Sequence, residues 1–138
     1  MNPTEEQKEF LMKTQVAVLA TVDRRGQPHA VPMWCLYEDG EFIMSTGPGS
    51  QKYKNIENNQ NVVLVFDQRD LPYYAVMVHG TAEMELVKSD RVIRMIAEAY
   101  LGKEGTEKYF SRRSGGDSVV IRVKPRKFIE YRGISGRS

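Results

Sequence analysis

The sequence predicts a mostly β fold, an antiparallel barrel of six or seven strands with helices only at its margins. Three observations carry that expectation. Runs rich in Val, Ile, Leu, Thr and aromatic residues recur along the chain, separated by short turns that contain Gly, Pro, Asp or Asn. Apolar residues at helical spacing occur in only three stretches. With 138 residues, 41% of them hydrophobic, the chain suits a single core, and residues 1–138 read as one domain. Closure into a barrel would remove the edges that an open sheet exposes.

The elements follow in order. Thr4-Glu5-Glu6-Gln7 fits a capping box, and Phe10 and Leu11 give the short helix after it an apolar stripe. Residues 16–23 (VAVLATVD) form a β-branched run that stops at the turn Arg24-Arg25-Gly26-Gln27. Residues 28–38 resume as one extended run, in which Pro32 deletes a ladder hydrogen bond and is expected to bend or open the strand. Asp39-Gly40 is a two-residue hairpin turn, and residues 41–46 run back from it. Beyond Gly47-Pro48-Gly49, Ser50 can cap a helix that carries Tyr53 and Ile56 and ends at Asn59. Residues 61–67 (NVVLVFD) read as a buried strand, and Leu71-Pro72 as the next loop. Residues 73–86 form a long strand, with a bulge or bend expected at Gly80. Residues 89–101 place Val92, Ile93, Met95, Ile96, Ala99 and Tyr100 at helical spacing, and strands at residues 118–123 and 127–132 complete the chain.

Composition narrows the function. No apolar run reaches membrane-spanning length, and the start, MNPTEEQKEF, is acidic and polar, unlike a signal or transit peptide. A cytoplasmic protein with no membrane partner is expected. Cys35 is the only cysteine, which excludes an internal disulfide and a thiolate metal cluster and leaves a buried, inert thiol. The two histidines, His29 and His79, cannot make a multi-histidine metal site, so no metal is expected. No serine stands in a nucleophile elbow, and the acids show no pair suited to acid–base work, so no catalytic residue is assigned. If the chain is an enzyme, a cofactor carries the reaction. The net charge of +2 conceals an asymmetry: residues 1–110 hold 12 basic and 16 acidic side chains, residues 111–138 hold 8 and 2. The basic end is either a solvated strand pair or a surface that faces an anion.

The corner STGPGSQKYKN, residues 45–55, concentrates anion-seeking groups. A helix N-terminus offers unpaired N–H groups and the positive end of the macrodipole, which favour a phosphate or carboxylate. Ser45, Thr46 and Ser50 add neutral donors, Lys52 and Lys54 add charge, and Gly47 and Gly49 let the backbone approach an anion. The pattern is neither a P-loop nor a dinucleotide fingerprint. On these residues alone, a capped helix on a glycine turn with solvated lysines is the favoured reading.

The run EFIMSTGPGSQKYKNIENNQNVVLVF, residues 41–66, resembles the flavin-phosphate segment of the pyridoxamine 5′-phosphate oxidase-like split barrels and of related flavin and deazaflavin oxidoreductases. Further matches lie in VLATVDRRGQPHAVPMW, in YAVMVHGTAEM and in VVIRVKPRKFIEYRG, so the resemblance covers nearly the whole chain through the order and spacing of its motifs. It implies a six-stranded antiparallel split β-barrel with peripheral helices, paired as a homodimer with two cofactor sites at the subunit seam. In that scheme Ser45 and Thr46 line the ring and ribityl region, and Ser50, Gln51 and Lys52 take the phosphate. Val31, Pro32, Met33 and Trp34 pass beside the ring, and Tyr73 and Tyr74 reach toward it. The oxidases carry arginine where Gln51 stands, a flavin-contacting glutamine where Ala75 stands, and a further segment that holds the vitamin phosphate. Those departures point away from pyridoxamine oxidation. Ser50, Lys52 and Asn55, with Trp34, are more similar to the deazaflavin (coenzyme F420) branch, and the basic end would suit that cofactor's polyglutamate chain.

The implied function is an oxidoreductase in which FMN or, slightly favoured, coenzyme F420 exchanges a hydride with a small organic substrate. Two other classes remain. One is a small barrel that binds single-stranded nucleic acid through the basic end and stacking on Tyr109, Phe110, Phe128 and Tyr131. The other is a flavin-binding carrier or sensor without turnover.

Overall fold

A computed structural model describes residues 2–112 and 117–133. In chain order the elements are α1 (Glu5–Leu11), β1 (Val16–Val22), β2 (Pro28–Trp34), β3 (Leu36–Glu38), β4 (Glu41–Thr46), α2 (Gln51–Asn58), β5 (Asn61–Gln68), β6 (Tyr74–Val87), α3 (Arg91–Ser111) and β7 (Ser118–Tyr131). The seven strands form one antiparallel sheet in the order β2-β1-β5-β6-β7-β4-β3.

Its two edge strands, β2 and β3, are consecutive in the chain with only Cys35 between them. The edges of a flat seven-stranded sheet would lie about 29 Å apart at roughly 4.8 Å per strand, a gap that one residue cannot span. The sheet therefore curls until its edges meet, and because β2 and β3 do not pair, the barrel is split along that seam. Tyr100 pins the seam. Its hydroxyl accepts from the Cys35 N–H at 2.7 Å and lies within donating reach of the Cys35 and Gln15 carbonyls.

The strand count differs from the six implied by the resemblance, and two sequence expectations are corrected with it. The run at residues 28–38 divides at Cys35, not at Pro32: β2 passes through Pro32 because it is an edge strand, where a missing N–H leaves no partner unsatisfied. The last two expected strands are one, β7, which continues through Pro125. Pro125 is tolerated because it faces Gly80 at a bulge, where the register shifts between His79 and Gly80. Gly80 is required there. A Cβ on it would stand 2.6 Å from Val123 Cγ1 and 2.7 Å from the Lys124 carbonyl oxygen.

Alternating residues fill the barrel: Leu19, Phe42, Met44, Leu64, Phe66, Val76, Val78 and Ile121 are all buried in one cluster. A second cluster lies outside the wall, where Ile43 of β4 and Val120 of β7 pack with Ile96 of α3, Trp34 and Tyr100. The opposite set of wall residues is different. Pro32, Val18, Val65, Met77 and Ile129 follow one another across five paired strands, all apolar, and none is buried.

The basic end is spread along β7, and part of it is paired. Lys124 meets Glu83 at 3.1 Å, and Arg132 meets Glu130 at 3.1 Å and also contacts Glu6. Arg113 and Arg137 lie outside the described residues. No described helix is long and apolar enough to cross a membrane.

Candidate functional site

The corner between β4 and α2 folds as its sequence predicts. Ser50 is the N-cap of α2, its Oγ accepting from the Tyr53 N–H at 3.3 Å, and its own N–H donates to the Gly47 carbonyl at 3.3 Å. Gly49, at φ 84°, supplies the left-handed step that the turn needs. The Thr46 and Ser50 hydroxyls stand 3.0 Å apart at the helix entrance, and the first turn of α2 carries no acid. Lys52 is half-buried and Lys54 exposed, and among the described residues no carboxylate pairs with either. Two hydroxyls, a helix N-terminus and unneutralised ammonium groups make a donor set suited to a phosphate.

Behind this surface, a relay seats the helix. The Gln51 side chain donates to Asn55 Oδ1 at 2.7 Å, and Asn55 Nδ2 donates to Thr21 Oγ1 at 2.9 Å. Asn55 is 2% exposed, so its amide serves the α2–β1 contact and the orientation of Gln51.

A cleft of about 420 Å³ opens beside the corner. It gathers Pro32, Met33 and Trp34 of β2 with Ser45 and Thr46 of β4, five residues that the sequence placed near a ring system. Val31 is not among its lining residues: it pairs with Leu19, two residues along β2 from Met33 and farther from the seam at Cys35. Helix α3 adds Ile93, Ile96 and Tyr109, which the sequence reading missed. The helical spacing marked Ile93 and Ile96 as an apolar face without saying what it covers, and Tyr109 lies beyond the helix end expected near residue 101. No acidic or basic side chain lines the cleft, so its walls bind and orient but hold no proton donor stronger than a phenol or hydroxyl.

Tyr73 and Tyr74 lie elsewhere in the chain, lining a cleft of about 330 Å³ against α1. The Tyr74 hydroxyl donates to Glu130 at 2.7 Å, its ring meets Phe10 edge-on at 4.8 Å, and Gln7 and Arg132 complete the contact. The phenol donation, with Arg132 beside it, holds the Glu130 carboxyl below its ordinary range, and burial with the adjacent carboxylate pushes the Tyr74 phenol up. Cys35 is 4% exposed, and burial pushes its thiol up to about 12. The four rings considered for nucleic-acid stacking do not form one surface: Tyr109 meets Phe110 edge-on at 5.3 Å and sits against Trp34, whereas Phe128 packs onto the barrel interior and Tyr131 is exposed near the end of β7. Among the described residues, no group of three His, Cys, Asp or Glu side chains is placed to hold a metal.

The family described as Pyridoxamine 5'-phosphate oxidase matches residues 3–132. The chain belongs to that family. A pyridoxine/pyridoxamine 5'-phosphate oxidase of Klebsiella pneumoniae is 41% identical over 76 residues, a match that covers 51% of this chain and 34% of that protein. A 5a,11a-dehydrotetracycline/5a,11a-dehydrooxytetracycline reductase of Streptomyces rimosus is 29% identical over 96% of this chain and 84% of its own length. Among solved structures, one described as an F420 reductase superposes with a TM-score of 0.77 at 24% identity, over 92% of this chain and 98% of that one. A heme storage protein from Vibrio cholerae shares the fold at a TM-score of 0.67 and 17% identity, over 96% and 95% of the two chains. These structural likenesses establish the split barrel, which hosts more than one function.

Proposed function

We propose that this chain is a flavin- or deazaflavin-dependent oxidoreductase that binds its cofactor with the phosphate at the β4–α2 corner and the ring in the adjoining cleft. The observation that carries the reading is the junction itself: Thr46, whose hydroxyl stands 3.0 Å from that of the α2 N-cap Ser50, lines the apolar cleft together with Trp34 and Pro32. The cleft falls within the roughly 300–1,000 Å³ range of small-molecule sites. When bound, the cofactor supplies hydride exchange with a small organic substrate.

The chain's own residues bind and position. Ser50, Gln51 and Lys52 hold the phosphate, Ser45 and Thr46 meet the polar chain, and Pro32, Met33 and Trp34 flank the ring and exclude water from one face. Coenzyme F420 is slightly favoured over FMN because of Ser50, Lys52, Asn55 and Trp34, and the reductases among the relatives agree with reduction as the reaction. Gln51 and Ala75, in place of the arginine and glutamine of the oxidases, argue against pyridoxamine 5'-phosphate as substrate.

A homodimer completes the site. The apolar row Pro32-Val18-Val65-Met77-Ile129 is the surface that a second copy would cover, and Pro32 belongs both to that row and to the lining of the cleft. The absorbance spectrum and mass of the chromophore that co-purifies test the assignment, because FMN and the deazaflavin absorb differently. A bound heme in place of either would overturn it.

A further inference from the structure

Helix α3 is two helices. Its backbone leaves helical geometry at Gly102 (φ 73°, ψ 176°). The second half then folds back along the first, so that the Arg94 guanidinium meets the Glu107 carboxylate at 3.0 Å. Thirteen residues of straight helix would separate them by about 20 Å. Arg94 also lies over the Phe110 ring, 4.2 Å from its centroid, and buried Thr106 donates to the Gly102 carbonyl at 2.7 Å.

This fold-back carries Tyr109 into the cleft. Its ring centroid stands 5.9 Å from that of Trp34, with 46° between the planes, while Trp34 is stacked on Tyr100 at 5.1 Å and 14°. A flat ring sandwiched between two aromatic faces needs them about 7 Å apart, twice the contact distance of roughly 3.5 Å. Tyr109 is nearer than that and tilted, so it bounds the space beside Trp34 and does not stack on what enters it. The latch that holds it is exposed, with Arg94 at 40% and Glu107 at 73%, and such pairs are weak.

We infer that Tyr109 is the specificity-determining residue of the cleft, the wall that limits how wide a flat, uncharged, conjugated substrate can lie alongside the cofactor ring that the same cleft receives. The inference rests on the proposed cofactor site. The chemistry of the substrate follows from the lining: Trp34, Ile93, Ile96 and Tyr109 offer apolar and aromatic surface, and no charged side chain is there to take an acid or an amine. Glu107 acts as a positioning residue, through the half-helix that carries Tyr109.

The test uses oxidised protein loaded with FMN and two neutral dead-end probes, naphthalene-2-carboxamide and anthracene-2-carboxamide. Binding is read from the flavin difference spectrum and from the emission of Trp34, the only tryptophan. Tyr109→Ala is expected to shift the ratio of the two dissociation constants about tenfold toward the three-ring probe, the scale on which a pocket discriminates a small change in apolar size. Tyr109→Phe should keep the wild-type ratio, and Glu107→Ala should shift it in the direction of Tyr109→Ala by less. A loss of folding or of cofactor weakens both probes together and leaves the ratio unmoved. Loaded protein in which Tyr109→Ala leaves the ratio unchanged overturns the role of Tyr109 alone. A wild-type chain that takes up neither FMN nor the deazaflavin overturns the cofactor site, and this inference with it.

Discussion

The Trp34 indole lies flat on the Tyr100 ring, centroids 5.1 Å apart, and the Tyr100 hydroxyl holds the next residue of the chain by accepting from the Cys35 N–H at 2.7 Å. Closure of the barrel and construction of the site wall are thus one event. The seam at Cys35 brings β2 beside β4, and the side chain that secures the seam also backs the aromatic wall of the cleft.

Tyr100→Phe keeps the stack and removes the hydroxyl, leaving the N–H of buried Cys35 without its partner. Stability is expected to fall by about 1 to 3 kcal/mol, the cost of an unsatisfied buried polar group. Urea denaturation followed by Trp34 emission measures it. An unchanged midpoint would mean that the seam does not depend on this hydroxyl.

Lys52→Ala is expected to weaken cofactor binding by about 1.5 to 3 kcal/mol, the range for hydrogen bonds to charged groups, and Lys54→Ala by less. Lys52 is half-buried, whereas Lys54 is exposed and lines, with Gln51, Asn55, Arg24 and Arg25, a cleft other than the one beside Trp34. Equal losses in the two variants would show that the lysines act only as diffuse charge.

The corner was legible in the sequence because its signals are local. Ser50 caps α2, Thr4 and Gln7 form the reciprocal capping box, and Gly80 marks the bulge, each where its residue type alone requires. The misses are long-range. Pro32 reads as a break until β2 is known to be an edge, and Pro125 reads as a gap between strands until Gly80 is known to face it. The fold-back of α3 is hidden in the sequence because Gly102 and Gly105 interrupt the apolar period, so the segment that brings Tyr109 to Trp34 lies beyond the helix expected over residues 89–101.

Tyr74→Phe tests the contact that seats α1. The folded chain holds Glu130 below its ordinary value of 4.5, with the Tyr74 phenol as the largest cause. A depressed carboxyl contributes stability above its unfolded pKa that is lost as pH falls through the folded value. The variant should therefore be less stable at neutral pH by about 1 kcal/mol, discounted for partial exposure, and should lose less on acidification. Denaturation midpoints between about pH 3 and pH 7 compare the slopes, spanning the ordinary carboxyl range. Parallel curves would contradict the linkage.

Val65→Lys places a charge in the middle of the apolar row formed with Val18 and Met77. It is expected to yield a monomer with weakened cofactor binding, since a ligand that binds only the assembled state is linked to assembly. Sedimentation across a dilution series, with and without FMN, measures both effects. A dimer that persists, or a monomer that binds as tightly as the wild type, would overturn the shared site.

The cofactor site itself is tested most directly by titrating the purified chain, stripped of any chromophore, with FMN and separately with coenzyme F420 while following Trp34 emission. The expected result is saturable quenching by at least one of them at one cofactor per chain, because Trp34 lines the cleft beside the β4–α2 corner. No saturable quenching by either would contradict the assignment.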